Sequence, residues 1–104
     1  MTLAELTVRM HQFVAAKGWY AADSDHPQTA RNLAASLCIE AAEVLELFQW
    51  RESADPVALG QELADVLLYL LQLADLNGID LAAATLAKLE HNAGRQWPKE
   101  PDVP

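Results

Sequence analysis

Cysteine and basic residues are scarce in this 104-residue sequence, which has one cysteine and seven Lys and Arg residues against fifteen Asp and Glu. Because Cys38 has no second cysteine to pair with, no disulfide can form within the chain, and we expect a small buried thiol. The net charge of −8 argues against binding to a nucleic-acid polymer, since such binding depends on neutralising phosphates with cations. A nucleotide remains an acceptable partner if metal ions neutralise its charge.

Signals for export or membrane insertion are also lacking. Glu5 and Arg9 interrupt the first apolar positions, so the start of the sequence does not resemble a secretory signal. The densest apolar stretch, residues 66–76, is broken by Gln72 and Asp75 and is shorter than a transmembrane helix. These features predict a cytoplasmic protein without a membrane partner.

No segment alternates with the period of a β-strand, whereas four segments have helical periodicity. The hydrophobic content of 52% predicts one folded domain. The predicted helices run from Thr2 to Gly18, from about Thr29 to Arg51, from Asp55 to Gly78 and from Asp80 to about Gly94. We therefore predict an all-α, four-helix bundle-like protomer over residues 1–96, followed by an extended proline-rich tail over residues 97–104.

The second and third predicted helices are apolar over more of their circumference than a lone four-helix monomer needs. Such an excess is typical of a helix face that is buried against another subunit. We therefore expect a homo-oligomer, either a dimer or a tetramer.

Two pairs of carboxylates stand inside this apolar helical sequence. Glu40 and Glu43 form one pair and Glu62 and Asp65 the other, each with a spacing of three that places both acids on one helix face. A helical hairpin would bring the pairs together, and buried carboxylates must then be protonated, paired or bound to a metal. Clusters of oxygen ligands suit Mg²⁺ or Mn²⁺ better than Zn²⁺.

Two alternatives compete with a metal site of this kind. Most helical glutamates lie on a solvated face, but none of these four acids has a lysine or arginine four residues later to neutralise it. A di-iron bundle requires Glu-x-x-His pairs, and the sequence contains none. The metal site is the interpretation that the pattern favours.

Other side chains suit the binding of a nucleotide. Lys88, Asn92 and Arg95 share one stripe of the fourth predicted helix and could contact phosphate oxygens, although ordinary surface polarity explains them nearly as well. Four aromatic side chains could wall a pocket for a flat base, or could equally belong to the core: His11, Trp19, Trp50 and Tyr69.

The two acidic motifs also resemble a known family. The string EAAEVLELFQW (residues 40–50), followed by ELADVLLYL (residues 62–70), is similar to the ExxE and ExxD metal-binding signature of the MazG-like nucleotide pyrophosphohydrolases, especially the dCTP pyrophosphatase branch. The similarity extends over most of the chain, because RMHQF, KGW and ARNL before the motif and LAKLEHN after it resemble segments of that branch.

This resemblance implies an all-α enzyme that uses Mg²⁺ to hydrolyse a nucleoside triphosphate, such as dCTP or another dNTP, to the monophosphate and pyrophosphate. It implies that the metal ligands are Glu40, Glu43, Glu62 and Asp65. It also implies that His11, Trp19 and Trp50 frame the base and sugar, that Tyr69, Lys88 and Asn92 contact the phosphates, and that Arg31 belongs to the matched segments.

The sequence departs from the family pattern at two places. Many members have a glutamate directly before the ExxE pair, and Ile39 occupies that position here. The segment after Asn92 has fewer basic residues than is common, which leaves Arg95 as the expected cation. Two other functions remain alternatives, namely removal of modified nucleotides by the same reaction and a helical oligomer that binds a metal or nucleotide without hydrolysing it. On either catalytic interpretation, Glu40 or Glu43 is the residue expected to position or deprotonate the attacking water.

Overall fold

The computed structural model describes residues 1–96 and 98, and these residues form four α-helices and no strand. The helices are α1 (Leu3–Ala16), α2 (Ala30–Glu46), α3 (Pro56–Leu76) and α4 (Leu81–Ala93). The all-α prediction is therefore confirmed. Apart from Pro98, the predicted extended tail lies outside the described residues.

Each helix begins one residue after its predicted starting residue. The side chain of each N-cap residue accepts a hydrogen bond from the backbone N–H three residues later, at Thr2, Thr29, Asp55 and Asp80. Gly18 and Gly78 follow α1 and α3 with φ angles of 77° and 70°, a left-handed conformation that glycine adopts at little cost. Short polar and glycine-containing segments thus set these boundaries.

The end of α2 differs from the prediction, because the helix stops at Glu46 and does not continue to Arg51. Residues 47–49 donate backbone hydrogen bonds to carbonyls three residues earlier, which tightens the chain into a turn. Trp50 then has a φ of 65°, which a right-handed helix cannot accommodate. The prediction that the second helix continues through Trp50 to Arg51 was therefore wrong.

The most extensive helix packing joins α2 to α3, with α1 packed on α3 and α4 packed mainly on α3. A connection of only nine residues, 47–55, makes α2 and α3 an antiparallel hairpin. The buried apolar side chains lie on α1, near the start of α2 and in the second half of α3: Met10, Val14, Leu33, Leu71 and Ala74. Cys38 is exposed, which corrects the expectation of a buried thiol.

The structure is long for its chain length and leaves much apolar surface uncovered. Its radius of gyration is 17.3 Å, compared with about 13 Å for a compact domain of this length. In the described part of the chain, five hydrophobic side chains are buried whereas fifteen large ones are exposed. This surface agrees with the excess of apolar positions that the sequence shows on the second and third predicted helices.

Helix α3 corrects the expectation that no segment reaches transmembrane length. It has 21 residues, and by length and composition it is apolar enough to cross a membrane. The core helix of a soluble protein meets the same criteria, and α3 packs against the other three helices while carrying Glu62 and Asp65.

Candidate functional site

Carboxylates from α2 and α3 converge at the hairpin interface. Glu40, Glu62 and Asp65 each offer one carboxylate oxygen, and these three oxygens lie within 4.8 Å of one another. Glu40 lies six residues before the end of α2, and Glu62 lies six residues after the start of α3. The antiparallel hairpin therefore places Glu40 and Glu62 opposite each other along the two helices, as the spacing of the two motifs predicts.

Glu43, the fourth predicted ligand, is not among these three groups, but its carboxylate lies close enough to Glu40 and Glu62 to raise the pKa of both through hydrogen bonding and charge. Burial is the main cause that raises the pKa of Glu40 to about 7, and the hydrogen bond with Glu43 and the nearby negative charges raise it further. The hydrogen bond with Glu43 is the main cause that raises the pKa of Glu62, followed by burial and by the neighbouring carboxylates. Both shifts have the sign expected for acids that repel one another in the absence of a cation.

The residues present fit a divalent cation. Glu40 Oε2 and Glu62 Oε2 are buried, and neither has a hydrogen-bond partner within the described part of the chain. A buried carboxylate oxygen without a partner is costly, and a bound cation would satisfy it. Because every candidate ligand is a carboxylate oxygen, the site suits Mg²⁺ or Mn²⁺ and not a metal that prefers nitrogen or sulfur.

The raised pKa of Glu40 predicts how stability depends on pH in the metal-free protein. Between the ordinary value of 4.5 and the folded value of about 7, the folded state binds a proton that the unfolded state has released. Stability therefore falls as pH rises through this window. With chelator present, we expect Glu40→Gln to raise the midpoint of thermal unfolding at about pH 8 by roughly 4 °C, with less change at about pH 5.

Circular dichroism melts at the two pH values would measure this effect. Glu90→Gln is the matched control, because it removes an exposed carboxylate from α4 and should keep the parent's dependence on pH. Identical pH dependence in Glu40→Gln and the parent would contradict the coupling that we describe within the cluster.

A cavity of about 470 Å³ opens beside the carboxylates, a volume typical of small-molecule sites. Glu40 and Asp65 lie in its wall together with Tyr69 of α3 and with Trp19 and His26 of the loop between α1 and α2. Trp19 also contacts Phe13 edge to face, with ring centroids 5.7 Å apart. The cavity thus places acidic oxygens and aromatic faces around one space.

His11 lies in a different place. It lines a second cavity of about 740 Å³ between α1, the end of α3 and the start of α4. Its Nε2 atom is 2.7 Å from Asp75 Oδ2, and its Nδ1 atom is 2.5 Å from the Tyr20 hydroxyl. The predicted contact of His11 with a base therefore stays a prediction, and the observed partners of His11 are protein side chains.

Five of the predicted binding residues lie outside the described lining of both cavities: Arg31, Trp50, Lys88, Asn92 and Arg95. The side chain of Trp50 is 94% exposed, immediately beyond α2. The Oδ1 atom of Asn92 is buried without a hydrogen-bond partner in the described structure. Within a single chain, the structure thus places Trp19 and Tyr69 in the wall of the cavity that Glu40 and Asp65 also line, and it places none of these five residues in the described lining.

Sequence reasoning missed Gln72, which is 3% exposed and also lines the first cavity. A signal was available, because Glu62, Asp65, Tyr69 and Gln72 follow the spacing i, i+3, i+7 and i+10 along one face of α3. The contributions of His26 and Gln28 had no comparable signal. They come from a loop whose path depends on tertiary contacts.

Fold and site together define an all-α protein in which a helical hairpin presents a carboxylate cluster suited to a divalent cation beside an aromatic cavity. Residues 35–103 match the model of the MazG-like family. This match covers more than half of the chain. The chain therefore belongs to the MazG-like family.

Individual relatives agree with this assignment. The chain is 36% identical over 98 residues to dCTP pyrophosphatase 1 of Rattus norvegicus and equally to that of Homo sapiens, with 84% of this chain aligned. It spans 55% of the length of these curated relatives. The crystal structure of a pyrophosphatase from Archaeoglobus fulgidus superposes with a TM-score of 0.75 at 37% identity, covering 92% of both chains.

Proposed function

We propose that this protein is a Mg²⁺-dependent nucleoside triphosphate pyrophosphohydrolase. It cleaves a deoxynucleoside triphosphate, with dCTP as the first candidate, between the α and β phosphates and releases the monophosphate and pyrophosphate. The observation that carries this proposal is the placement of the carboxylate cluster in the wall of a cavity that also presents Trp19 and Tyr69. The names of the relatives, dCTP pyrophosphatase 1 and a pyrophosphatase, support the reaction class and the choice of base.

Glu40, Glu62 and Asp65 would hold the metal, since their oxygens already converge and two of them have unpartnered buried atoms. Bound there, Mg²⁺ would neutralise phosphate charge and orient the reacting groups. Glu43 lies beside two of these groups, where its carboxylate raises the pKa of Glu40 and Glu62, and it is the fourth predicted ligand. Either Glu40 or Glu43 accepts the proton of the attacking water as the new P–O bond forms and the α–β anhydride bond breaks.

Trp19 and Tyr69 occupy the cavity wall, where an aromatic face can stack on a base and a hydroxyl can contact a phosphate. The remaining predicted contacts divide into two groups. His11, Trp50 and Arg31 are assigned to the nucleoside end, and Lys88, Asn92 and Arg95 to the phosphates. For Trp50, exposed beyond α2, this assignment requires that it reach the cavity of a neighbouring subunit.

The protein acts as a homo-oligomer in this proposal. Exposed apolar side chains on α2, α3 and α4 exceed what a stable monomer of this size leaves uncovered: Ile39, Leu45, Val57, Leu63, Leu86 and Leu89. The elongated shape points the same way, since a second copy can fill the space that a single chain leaves open. Nucleic-acid polymers are not partners at a net charge of −8, and the protein is assigned to the cytoplasm without a membrane partner.

The proposal is tested by pyrophosphate release from a panel of canonical and modified nucleoside triphosphates, with Mg²⁺ and with chelator. We expect monophosphate and pyrophosphate in equal amounts, fastest from a deoxynucleotide and absent with chelator. Orthophosphate as the product would place the cleavage at the wrong anhydride bond. Nucleotide binding without any product would indicate a non-catalytic binding protein in place of an enzyme. A strong preference for modified bases would indicate that the substrates are modified nucleotides.

A further inference from the structure

The loop between α1 and α2, residues 17–29, forms one wall of the first cavity. Trp19, His26 and Gln28 are its contributions to the lining. Its own backbone hydrogen bonds are few and local, such as Ala21 N–H to Gly18 and Ser24 N–H to Ala21. A loop of this kind needs side-chain contacts to hold it against the helices.

Gln72 of α3 supplies two such contacts from one atom. Its Nε2 group donates to the Tyr20 hydroxyl at 3.2 Å and to Gln28 Oε1 at 2.7 Å. Tyr20 lies near the beginning of the loop and Gln28 near its end. A single side chain, 3% exposed, therefore ties both ends of the loop to the helix that carries Asp65 and Tyr69.

The Tyr20 hydroxyl is itself held from the other side. With Nε2 of His11 donating to the carboxylate of Asp75 at 2.7 Å, Nδ1 is left to accept the Tyr20 O–H at 2.5 Å. The hydroxyl oxygen then accepts from Gln72. Burial raises the pKa of Tyr20 and the Gln72 hydrogen bond opposes this, while Asp75 raises the pKa, so the hydroxyl keeps its proton at neutral pH. Donors and acceptors thus alternate from Asp75 through His11 and Tyr20 to Gln72.

We propose that Tyr20 and Asp75 are positioning residues that fix the 17–29 loop over the nucleotide cavity, Tyr20 through its bond with Gln72 and Asp75 by orienting His11 toward Tyr20, and so set the affinity for the nucleoside part of the substrate. Tyr20 lies outside the described lining of that cavity, whereas the loop it anchors places Trp19 there. This inference rests on the proposed function for its kinetic consequence. The network itself is independent of the reaction.

The variant Tyr20→Phe removes one hydroxyl and with it the two hydrogen bonds to His11 and Gln72. One neutral hydrogen bond contributes about 1 kcal/mol, so we expect KM for the best triphosphate to rise about five- to tenfold, with kcat within about twofold of the parent. A general loss of stability would instead lower the active fraction and leave KM unchanged. Thr85→Val is the matched control, because its hydroxyl bonds only to Leu81 O within α4.

Variants of Asp75 and Gln72 test whether the effect on KM passes through the hydrogen-bond network. Asp75→Asn keeps an acceptor for His11 and should retain most of the parent's KM, whereas Asp75→Ala should raise it. In the double variant Tyr20→Phe with Gln72→Met, the rise in KM should be smaller than the product of the single effects, because both changes remove the same contact. A full product would show that the two residues act independently and would overturn the proposal.

Amide hydrogen exchange provides a readout that does not depend on catalysis. In Tyr20→Phe we expect the amides of Ala21, Ser24 and His26 to exchange about fivefold faster, with α4 amides unchanged. Faster exchange in a protein that hydrolyses no nucleotide would contradict the proposed function but support the role of the hydrogen-bond network. Unchanged exchange and an unchanged KM in an active enzyme would contradict the positioning role of the network but leave the proposed function supported.

Discussion

Replacing Glu62 by glutamine is expected to abolish metal-dependent turnover. The change keeps the size of the side chain but removes the charge of a proposed ligand, whose Oε2 atom is buried without a hydrogen-bond partner in the described part of the chain. Changes in the outer shell of metal sites already cost roughly 10- to 100-fold in affinity or activity, so loss of a direct ligand should lower kcat/KM by more than about 100-fold. The affinity for Mg²⁺ or Mn²⁺ should fall with it.

Isothermal titration with Mn²⁺ and steady-state kinetics with Mg²⁺ would measure the two effects separately. The Glu90→Gln control described above removes one negative charge from α4 and should keep the parent's values in both assays. If Glu62→Gln kept both its affinity for Mn²⁺ and its turnover within about tenfold of the parent, the metal site would not lie in this cluster. Loss of turnover with full metal binding would instead assign Glu62 to the reaction step.

The second large effect is expected at the exposed apolar surface. Leu86 of α4 is 58% exposed in the single chain, so Leu86→Glu should not disturb the fold of a monomer. If a second copy covers this position, the variant buries an unpaired charge, which costs roughly 3 to 5 kcal/mol. The dissociation constant of the oligomer should then rise by more than about 100-fold.

Sedimentation velocity over a range of concentrations would measure the shift from oligomer to monomer. Gln12→Glu is the control, since it adds the same charge at an exposed polar position of α1. Equal sedimentation of the parent and both variants as monomers would contradict the oligomer. Oligomers of equal stability in all three proteins would place the interface elsewhere on the molecule.

The two acidic motifs show what the local sequence pattern can predict about the site. Their spacing of three and the short connection after α2 were enough to predict that Glu40, Glu62 and Asp65 meet, because helix geometry fixes which residues share a face. Trp50 shows where pattern fails. Its predicted place in the second helix assumed that the helix continues to Arg51, but the chain leaves α2 through a tightened turn and Trp50 itself has a left-handed backbone conformation.

His11 shows a second limit. Its predicted contact with a base stays a prediction, but its hydrogen-bond partners in the fold were not predicted: Tyr20 is nine residues away and Asp75 is 64 residues away. A hydrogen bond between residues this distant in sequence depends on how α1 packs on α3. Periodicity carries no information about that packing.

By itself, the sequence determined the helices, their caps at Thr2, Thr29, Asp55 and Asp80, and the acidic faces of α2 and α3, because these depend on interactions within a few residues. Only the tertiary structure decided the cavity beside the carboxylates, the raised pKa values of Glu40 and Glu62, and the tie between Gln72 and the 17–29 loop. These properties arise from distances and burial between segments far apart in the chain, which are set when the helices pack.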